Sequence, residues 1–274
     1  MAYKRILTIQ DISCVGQCSM TVALPILSAC GHETCILPTA ILSTHTGGFG
    51  KPVVNHLDHG LDAMWQHWQQ QGITFDAIYT GYLGSTAAVE TAMVIAGRML
   101  APGGLLIVDP AMADHGKRYA GLDEAYASAM AKLCEKADIL IPNLTEAAML
   151  SGMEYREDMN EAYILEMLDR ISCRNVILTG TSRETGMTGV TVKQGSRRFF
   201  YSHRRVDRSF HGTGDMFAAA FVGALMQGKT LERAAGIASD YVLRCVERTV
   251  QAPAHWYGVR FESALGDLIR MLEA

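Results

Sequence analysis

The stretch FDAIYTGYLGSTAAVETAMVIAGRMLAPGGLLIVDP, Phe75 to Pro110, sets a short apolar run, a longer amphipathic run and a second short apolar run in series. FDAIYTGY and GGLLIVDP carry their apolar residues continuously rather than in alternation, as strands covered on both faces do. TAAVETAMVIAGRML between them repeats its apolar positions near every 3.6 residues, which predicts a helix lying along the sheet.

The same alternation extends in both directions. KRILTIQD predicts a first strand, SMTVALPILSAC a helix, HETCILPT a strand and DHGLDAMWQHWQQQ a helix. Downstream, LDEAYASAMAKLCEKA reads as a helix, DILIPN as a strand, EAYILEMLDRI as a helix and NVILTG as a strand. GDMFAAAFVGALMQG, LERAAGIASDYVLRCVERTV and FESALGDLIRMLEA return to helix. In the first of these, Phe217, Phe221 and Leu225 recur at four-residue spacing and read as core anchors, with Met216 and Met226 as packing residues.

Two regions are less regular. TAILSTHTGGFGKPV, beginning at Thr39, mixes glycines, a proline and polar residues, which predicts a mobile loop or short edge strands. GVTVKQGSRRFFYSHRRV predicts a peripheral hairpin turning at Gln194 and Gly195. No repeat or low-complexity tract intervenes. The expectation is an α/β fold of three layers, helices on both sides of a mostly parallel sheet, with residues 1–274 forming one domain carrying a small lid or hairpin.

Composition excludes several classes of function. The chain has 274 residues, 49% of them hydrophobic, and its 24 basic residues are outnumbered by 28 acidic ones, a net charge of -4. That balance supplies no general attraction for nucleic acid or an anionic membrane. No apolar run approaches the roughly 20 residues that span a bilayer. The seven cysteines are scattered, and MAYKR leads directly into the strand-like ILTI, so reduced thiols and a cytoplasmic location are expected. Cys14 and Cys18 lack the second pair or histidine partners of a zinc site.

Three motifs carry chemistry. FHGTGDMFAAAF, Phe210 to Phe221, puts glycines just before a helix, so backbone N–H groups of Gly212, Thr213 and Gly214 can converge on an anion at the helix start. Asp215 there can orient a hydroxyl and accept its proton during phosphoryl transfer, or merely cap a Gly-rich turn. DPAMAD places Asp109 at a strand end and Asp114 in the loop beyond, where both can face a cation. IPNLTEAAML places Asn143 and Glu146 three residues apart, supplying oxygen ligands or water contacts for Mg2+, or a helix cap with its first-turn acid.

Taken together, GTGD (Gly212 to Asp215), NLTE (Asn143 to Glu146), DPAMAD, STHTGGFG (Ser43 to Gly50) and TGYLGS (Thr80 to Ser85) make the chain resemble the pyridoxal kinases of the ribokinase-like superfamily over nearly its whole length. The resemblance implies ATP-dependent phosphorylation of the 5'-hydroxymethyl group of pyridoxal, pyridoxine or pyridoxamine. It implies Asp215 as base, the preceding HGTG segment as the anion-binding turn, and Asp109, Asp114, Asn143, Glu146 and Thr179 on the ATP and cation side. Asp109 and Glu146 are its Mg2+ positions, and a monovalent cation such as K+ is compatible with it. It further implies a homodimer.

The same resemblance puts the vitamin pocket at Asp11, His45, Thr46 and Tyr82. Read from the residues alone, Asp11 is equally a cap, Thr46 a turn hydroxyl, Tyr82 a core residue and His45 a loop hydrogen-bonder. One departure stands out: vitamin B6 kinases commonly carry serine after the initial IQ, where this chain has Asp11. TGMTGVTV and the basic run HRRVDR, His203 to Arg208, are candidates for the nucleotide side, and equally a solvated face. Hydroxymethylpyrimidine kinase is the rival activity, although that branch often carries cysteine where this chain has Asp215. A sugar kinase and a noncatalytic nucleotide or vitamin sensor are the remaining alternatives.

Overall fold

Nine strands of the protein form one sheet in a computed structural model that describes residues 3–206, 208, 210–252 and 254–274. In chain order the strands are β1 (Arg5–Ser13), β2 (Glu33–Leu42), β3 (Val54–His56), β4 (Phe75–Thr80), β5 (Leu100–Val108), β6 (Ala113–Asp114), β7 (Lys117–Arg118), β8 (Ile139–Leu140), β9 (Asn175–Thr181), β10 (Met187–Gln194) and β11 (Arg197–Arg204). The main sheet runs β11-β10-β9-β8-β5-β4-β1-β2-β3, and β6 with β7 makes a small separate hairpin. All pairings from β2 to β9 through β1 are parallel; β3, β10 and β11 add antiparallel edges.

The helices are α1 (Met20–Ala29), α2 (Asp58–Gln70), α3 (Thr86–Met99), α4 (Glu124–Glu135), α5 (Leu144–Ser151), α6 (Glu161–Arg170), α7 (Thr213–Met226), α8 (Leu231–Val250) and α9 (Leu265–Glu273). They divide between two cores. Ile6, Tyr79 and Ile107 pack with Ile26 of α1, Phe221 of α7, Ile237 of α8 and Leu268 of α9. The other face, with Leu7, Ile78, Leu106 and Leu178, packs against Trp65 of α2, Val89 of α3, Met130 of α4, Ala147 of α5 and Leu168 of α6. Successive residues of β1, β4 and β5 thus enter opposite cores, which explains why their apolar runs are continuous. This is the three-layer, mostly parallel α/β architecture of the ribokinase-like fold.

The sheet places a site before any side chain is considered. β1 pairs with β2 on one side and β4 on the other. Leaving β1, the chain crosses by α1 on one face to reach β2, then by α2 on the opposite face to reach β4. In open α/β sheets ligands bind beyond the carboxyl ends of strands where the winding reverses in this way. Asp11 lies near the carboxyl end of β1, Thr80 ends β4 and Asp109 follows β5.

Local differences from the sequence expectation have local causes. β5 begins at Leu100, directly after α3, and carries Pro102 and Gly103 through an irregular pairing in which Phe75 meets Leu100 and Ala77 meets Leu105. The first residues of TAILSTHTGGFGKPV belong to β2, and only the remainder is loop before the edge strand β3. The predicted hairpin is β10 and β11, hydrogen-bonded into the main sheet through β9. Most of TGMTGVTV is therefore strand, and Gly189 is needed there because a Cβ would stand 1.9 Å from the Tyr201 carbonyl oxygen. Asp207, within HRRVDR, lies outside the described residues. All seven cysteines are free, and no helix of the described residues is long and apolar enough to cross a membrane.

Candidate active site

Most helices here are closed at their start by a side chain. Ser85 accepts from Ala88 N–H before α3, Asp123 from Tyr126 N–H before α4, Asn160 from Tyr163 N–H before α6, and Thr230 from Arg233 N–H before α8. α7, like α1, α2 and α9, has no side-chain cap on its first N–H groups, and it alone starts on a glycine, Gly212, at φ 82° in the left-handed region. Those donors remain free for an anion. Thr213 turns its hydroxyl back to the Phe210 carbonyl at 3.4 Å. Gly214 is exposed, and a Cβ built on it meets nothing within 4 Å.

Asp215 sits in the first turn of α7, partly buried. Loss of water pushes its proton affinity from an ordinary 3.8 up to about 6; the Ser19 backbone N–H opposes the rise and Asp11 adds to it. Asp11 is 2% exposed, its carboxylate accepting from the Ser13 hydroxyl at 2.9 Å and its N–H donating to the Tyr82 carbonyl at 3.0 Å. Burial pushes its proton affinity up as well. Tyr82, beside it at the end of β4, faces Tyr119 with ring centroids 6.5 Å apart.

A second acidic group adjoins the first. Asp109 donates its N–H to the Thr80 carbonyl at 3.0 Å, and its Oδ1 accepts from Ala111 N–H at 3.1 Å. Burial, then Glu146 and Asp215, push its proton affinity well above the usual carboxylate range. Glu146 is 1% exposed: Oε1 accepts from Met112 N–H at 2.9 Å and Oε2 from Asn143 N–H at 3.0 Å. Asn143 Oδ1 in turn accepts from Glu146 N–H at 3.0 Å, so the pair forms a capping box on α5. Asn143 Nδ2 also donates to the Ala113 carbonyl at 2.7 Å. Asp114 stands at the rim, its side chain 51% exposed. Thr179 lies on β9, tied to the Pro142 carbonyl through its N–H at 2.9 Å.

The arrangement fits a hydrated cation rather than a protein cage. Among the described residues no group of three or more His, Cys, Asp or Glu could hold a metal directly. Both oxygens of Glu146 are engaged by backbone N–H groups, which suits contact with a cation through water rather than direct ligation, while Asp109 Oδ2 has no protein partner in the described hydrogen bonds. Mg2+ keeps several waters and is held by one or two carboxylates plus phosphate oxygens, which matches this donor set.

The loop between β2 and β3 covers the turn from the other side. His45 Nδ1 accepts from Gly47 N–H at 3.0 Å, which leaves the ring hydrogen on Nε2. Burial and His211 lower its proton affinity, so the ring stays neutral near pH 7. His211, the residue before Gly212, stands 4.8 Å from it, ring centre to ring centre. Thr46 is exposed next to them. Phe49 packs on Trp256 at 4.7 Å and Tyr257 at 5.2 Å, and His255 Nε2 meets Gln17 Oε1 at 3.1 Å, joining this loop to the segment before α1.

The structure thus gathers Asp11, Tyr82, Asp109, Glu146 and Asp215, with His45 beside His211 above the Gly212 turn. Sequence reading did not find Ser19, Tyr119 or the role of His211 as a neighbour of His45. Ser19 is one of four non-glycine residues at positive φ among the described residues, with Gln17, Ala111 and His115. Such conformations are costly and cluster where a site demands them; Ser19 N–H meets Asp215, Ala111 N–H meets Asp109, His115 N–H meets Asp114, and the Gln17 carbonyl lies against Gly212.

A family model described as phosphomethylpyrimidine kinase matches residues 28–259. A pyridoxine/pyridoxal/pyridoxamine kinase of Bordetella avium is 32% identical over 265 residues, 89% of this chain and 85% of that protein. A hydroxymethylpyrimidine/phosphomethylpyrimidine kinase of Haemophilus influenzae is 27% identical over 172 residues, 61% of this chain and 63% of that protein. The crystal structure of pyridoxal kinase from Lactobacillus plantarum superposes with a TM-score of 0.90 at 30% identity, covering 99% of both chains.

Proposed function

The chain belongs to the phosphomethylpyrimidine kinase family of the ribokinase-like superfamily, close to the pyridoxal kinases, and from that premise we propose that it phosphorylates the 5'-hydroxymethyl group of vitamin B6 with ATP. It is an ATP-dependent small-molecule kinase. The observation that carries the finer reading is Asp215 at the uncapped start of α7, within electrostatic reach of Asp11, whose N–H is bonded to the Tyr82 carbonyl.

In this reading the pyridine ring lies at the ends of β1 and β4, with Tyr82 along it, Asp11 toward the ring nitrogen, and His45 and Thr46 closing over it. The hydroxymethyl oxygen attacks the γ-phosphorus of ATP. A bond forms between that oxygen and phosphorus, the bond to the β-γ bridging oxygen breaks, and the hydroxyl proton passes to Asp215. N–H groups of the Gly212–Gly214 turn meet the charge on the transferred phosphoryl group. Asp109, Glu146, Asp114, Asn143 and Thr179 serve the triphosphate side, and ADP leaves from there. Bound Mg2+, held by Asp109 and through water by Glu146, would neutralise charge on the phosphate oxygens; K+ is a candidate second cation. The assembly proposed is a homodimer of one-domain protomers.

Hydroxymethylpyrimidine is the second candidate substrate, favoured by the hydroxymethylpyrimidine/phosphomethylpyrimidine kinases among the relatives. The deciding experiment follows ADP and each phosphorylated product from purified protein, ATP and Mg2+, with pyridoxal, pyridoxine, pyridoxamine and hydroxymethylpyrimidine under one condition. Preferential formation of B6 5'-phosphates is expected. Preferential turnover of hydroxymethylpyrimidine would replace the B6 reading, and no product from any of the four would overturn both.

Asp11 supplies a specificity prediction. An almost fully buried carboxylate gains most from a ring nitrogen that carries a proton, and is costly beside a neutral one. Asp11→Ser exchanges a charge-assisted hydrogen bond for a neutral one, a difference of about 1.4 kcal/mol or tenfold. The ratios of kcat/KM among the three B6 forms should shift by about that factor, against the form bound with a protonated ring. Unchanged ratios would remove Asp11 from discrimination.

A further inference from the structure

Beneath the acidic group lie buried polar atoms that no protein atom partners, among them Gln10 Oε1 and the Tyr79 hydroxyl. The sheet register brings these two together. β1 pairs Thr8 with Tyr79, so Thr8, Gln10 and Tyr79 share the face that packs under α1 and α7. β4 pairs Tyr79 with Ile107, which puts Asp109, two residues on, on that same face. Tyr79 therefore has Gln10 diagonally on one side and Asp109 diagonally on the other.

Each group is held in place. Gln10 Nε2 is engaged by Thr8 Oγ1 at 2.6 Å. Its Oε1 faces Gly81, where a Cβ would stand 2.7 Å away, so only glycine leaves the amide that space. Tyr79 is 0% exposed, the charges that bear on its phenol are Asp109 first and then Asp215, and the Gln10 amide lies within weak hydrogen-bonding reach of it without a well-formed bond. A buried hydroxyl without a partner works against stability, and phenylalanine would fill the same volume without that cost. A phenol donor, an amide oxygen and a carboxylate oxygen are the partner set that one internal water requires.

We propose that Tyr79 is a positioning residue for phosphoryl transfer: with Gln10 it holds an internal water that orients the Asp109 carboxylate from below. The water accepts from the Tyr79 hydroxyl and donates its two hydrogens to Gln10 Oε1 and an Asp109 oxygen. Ala111 N–H already fixes the other Asp109 oxygen, so the two contacts together set the carboxylate plane. The inference rests on the kinase reading of the site and adds to it a residue that touches neither substrate.

Two measurements on the full chain test it. Tyr79→Phe should lower kcat about tenfold while KM for ATP and for the alcohol moves less than twofold, with the thermal midpoint unchanged or raised. The unfolding midpoints of wild type, Tyr79→Phe, Asp109→Asn and the double variant should be non-additive, a readout that needs no substrate. Unchanged kcat with additive midpoints overturns the proposal. A lowered midpoint with unchanged kcat also overturns it, because the hydroxyl would then be purely structural. If wild-type protein phosphorylates nothing, the kinase reading falls, while the cycle still decides whether Tyr79 and Asp109 share one network.

Discussion

Asp215→Asn is expected to lower kcat by about 10²–10⁴ while making the protein more stable at neutral pH. The catalytic half follows from the proposed role: asparagine keeps the volume and the contact with Ser19 but cannot accept the hydroxyl proton. ATP binding should persist, because the N–H groups of the turn are backbone. The stability half follows from the sign of the shift. The unfolded chain ionises Asp215 near 3.8, whereas the folded protein holds the proton to about 6. Between those values the folded state binds more protons, so stability falls as pH rises through the window, and the whole penalty is present above it. Two pH units correspond to about 3 kcal/mol, and the partial exposure of Asp215 reduces this to about 1–2 kcal/mol. Asparagine carries no charge and escapes it. Denaturant unfolding of both proteins at pH 7 and pH 3.5 checks this: the variant should lead at pH 7 and lose its advantage at pH 3.5. Wild-type kcat/KM should fall below about pH 6, where Asp215 is protonated. A variant with wild-type turnover would remove Asp215 as the base; equal stability at pH 7 would remove the strain assigned to it.

That trade, stability against readiness for chemistry, is visible in the sequence only in part. GTGD, NLTE and DPAMAD were legible as candidates because each combines a strand end or helix start with a polar or acidic residue inside a few positions, so local geometry suffices. The alternation of buried strands and amphipathic helices was legible for the same reason. Tyr119 was not. It follows the two-residue strand β7 and reaches the acidic group only because its N–H is tied to the Met112 carbonyl. Ser19 only opens the predicted helix SMTVALPILSAC, yet it adopts φ 50° and turns its N–H toward Asp215. Tyr79 reads as one more apolar strand residue, and its position between Gln10 and Asp109 depends on two parallel registers set by long-range packing. The β6–β7 hairpin, two residues to a strand, leaves no periodic signal at all, whereas β8, equally short, was legible from the apolar run in DILIPN. What escaped reading was what the tertiary structure decides.

The glycines of the turn make this separable by experiment. Gly212→Ala should cost both folding and activity, because its φ of 82° is disfavoured for any residue with a Cβ and that Cβ would stand 2.2 Å from the Gln17 carbonyl oxygen. Backbone meets backbone there, so no side chain can swing aside: either the start of α7 or the segment before α1 must move. The left-handed conformation and the overlap together are worth about 2–4 kcal/mol of stability. Displacing reacting groups by about 1 Å is enough to cost about 10²-fold in kcat/KM. Gly214→Ala is the counterpart. Its φ is not in the left-handed region and a Cβ there meets nothing within 4 Å, so stability should stay within about 0.5 kcal/mol of wild type. The added methyl instead occupies the space above the free N–H groups, so KM for ATP should rise with the unfolding midpoint unchanged. If both alanines proved equally destabilising, the distinction between a glycine that the fold requires and a glycine that the phosphate requires would fail, and with it the assignment of the uncapped α7 start to the transferred phosphoryl group. If Gly214→Ala alone left KM for ATP at its wild-type value, the N–H groups beside Gly214 would not be the donors that hold the phosphate.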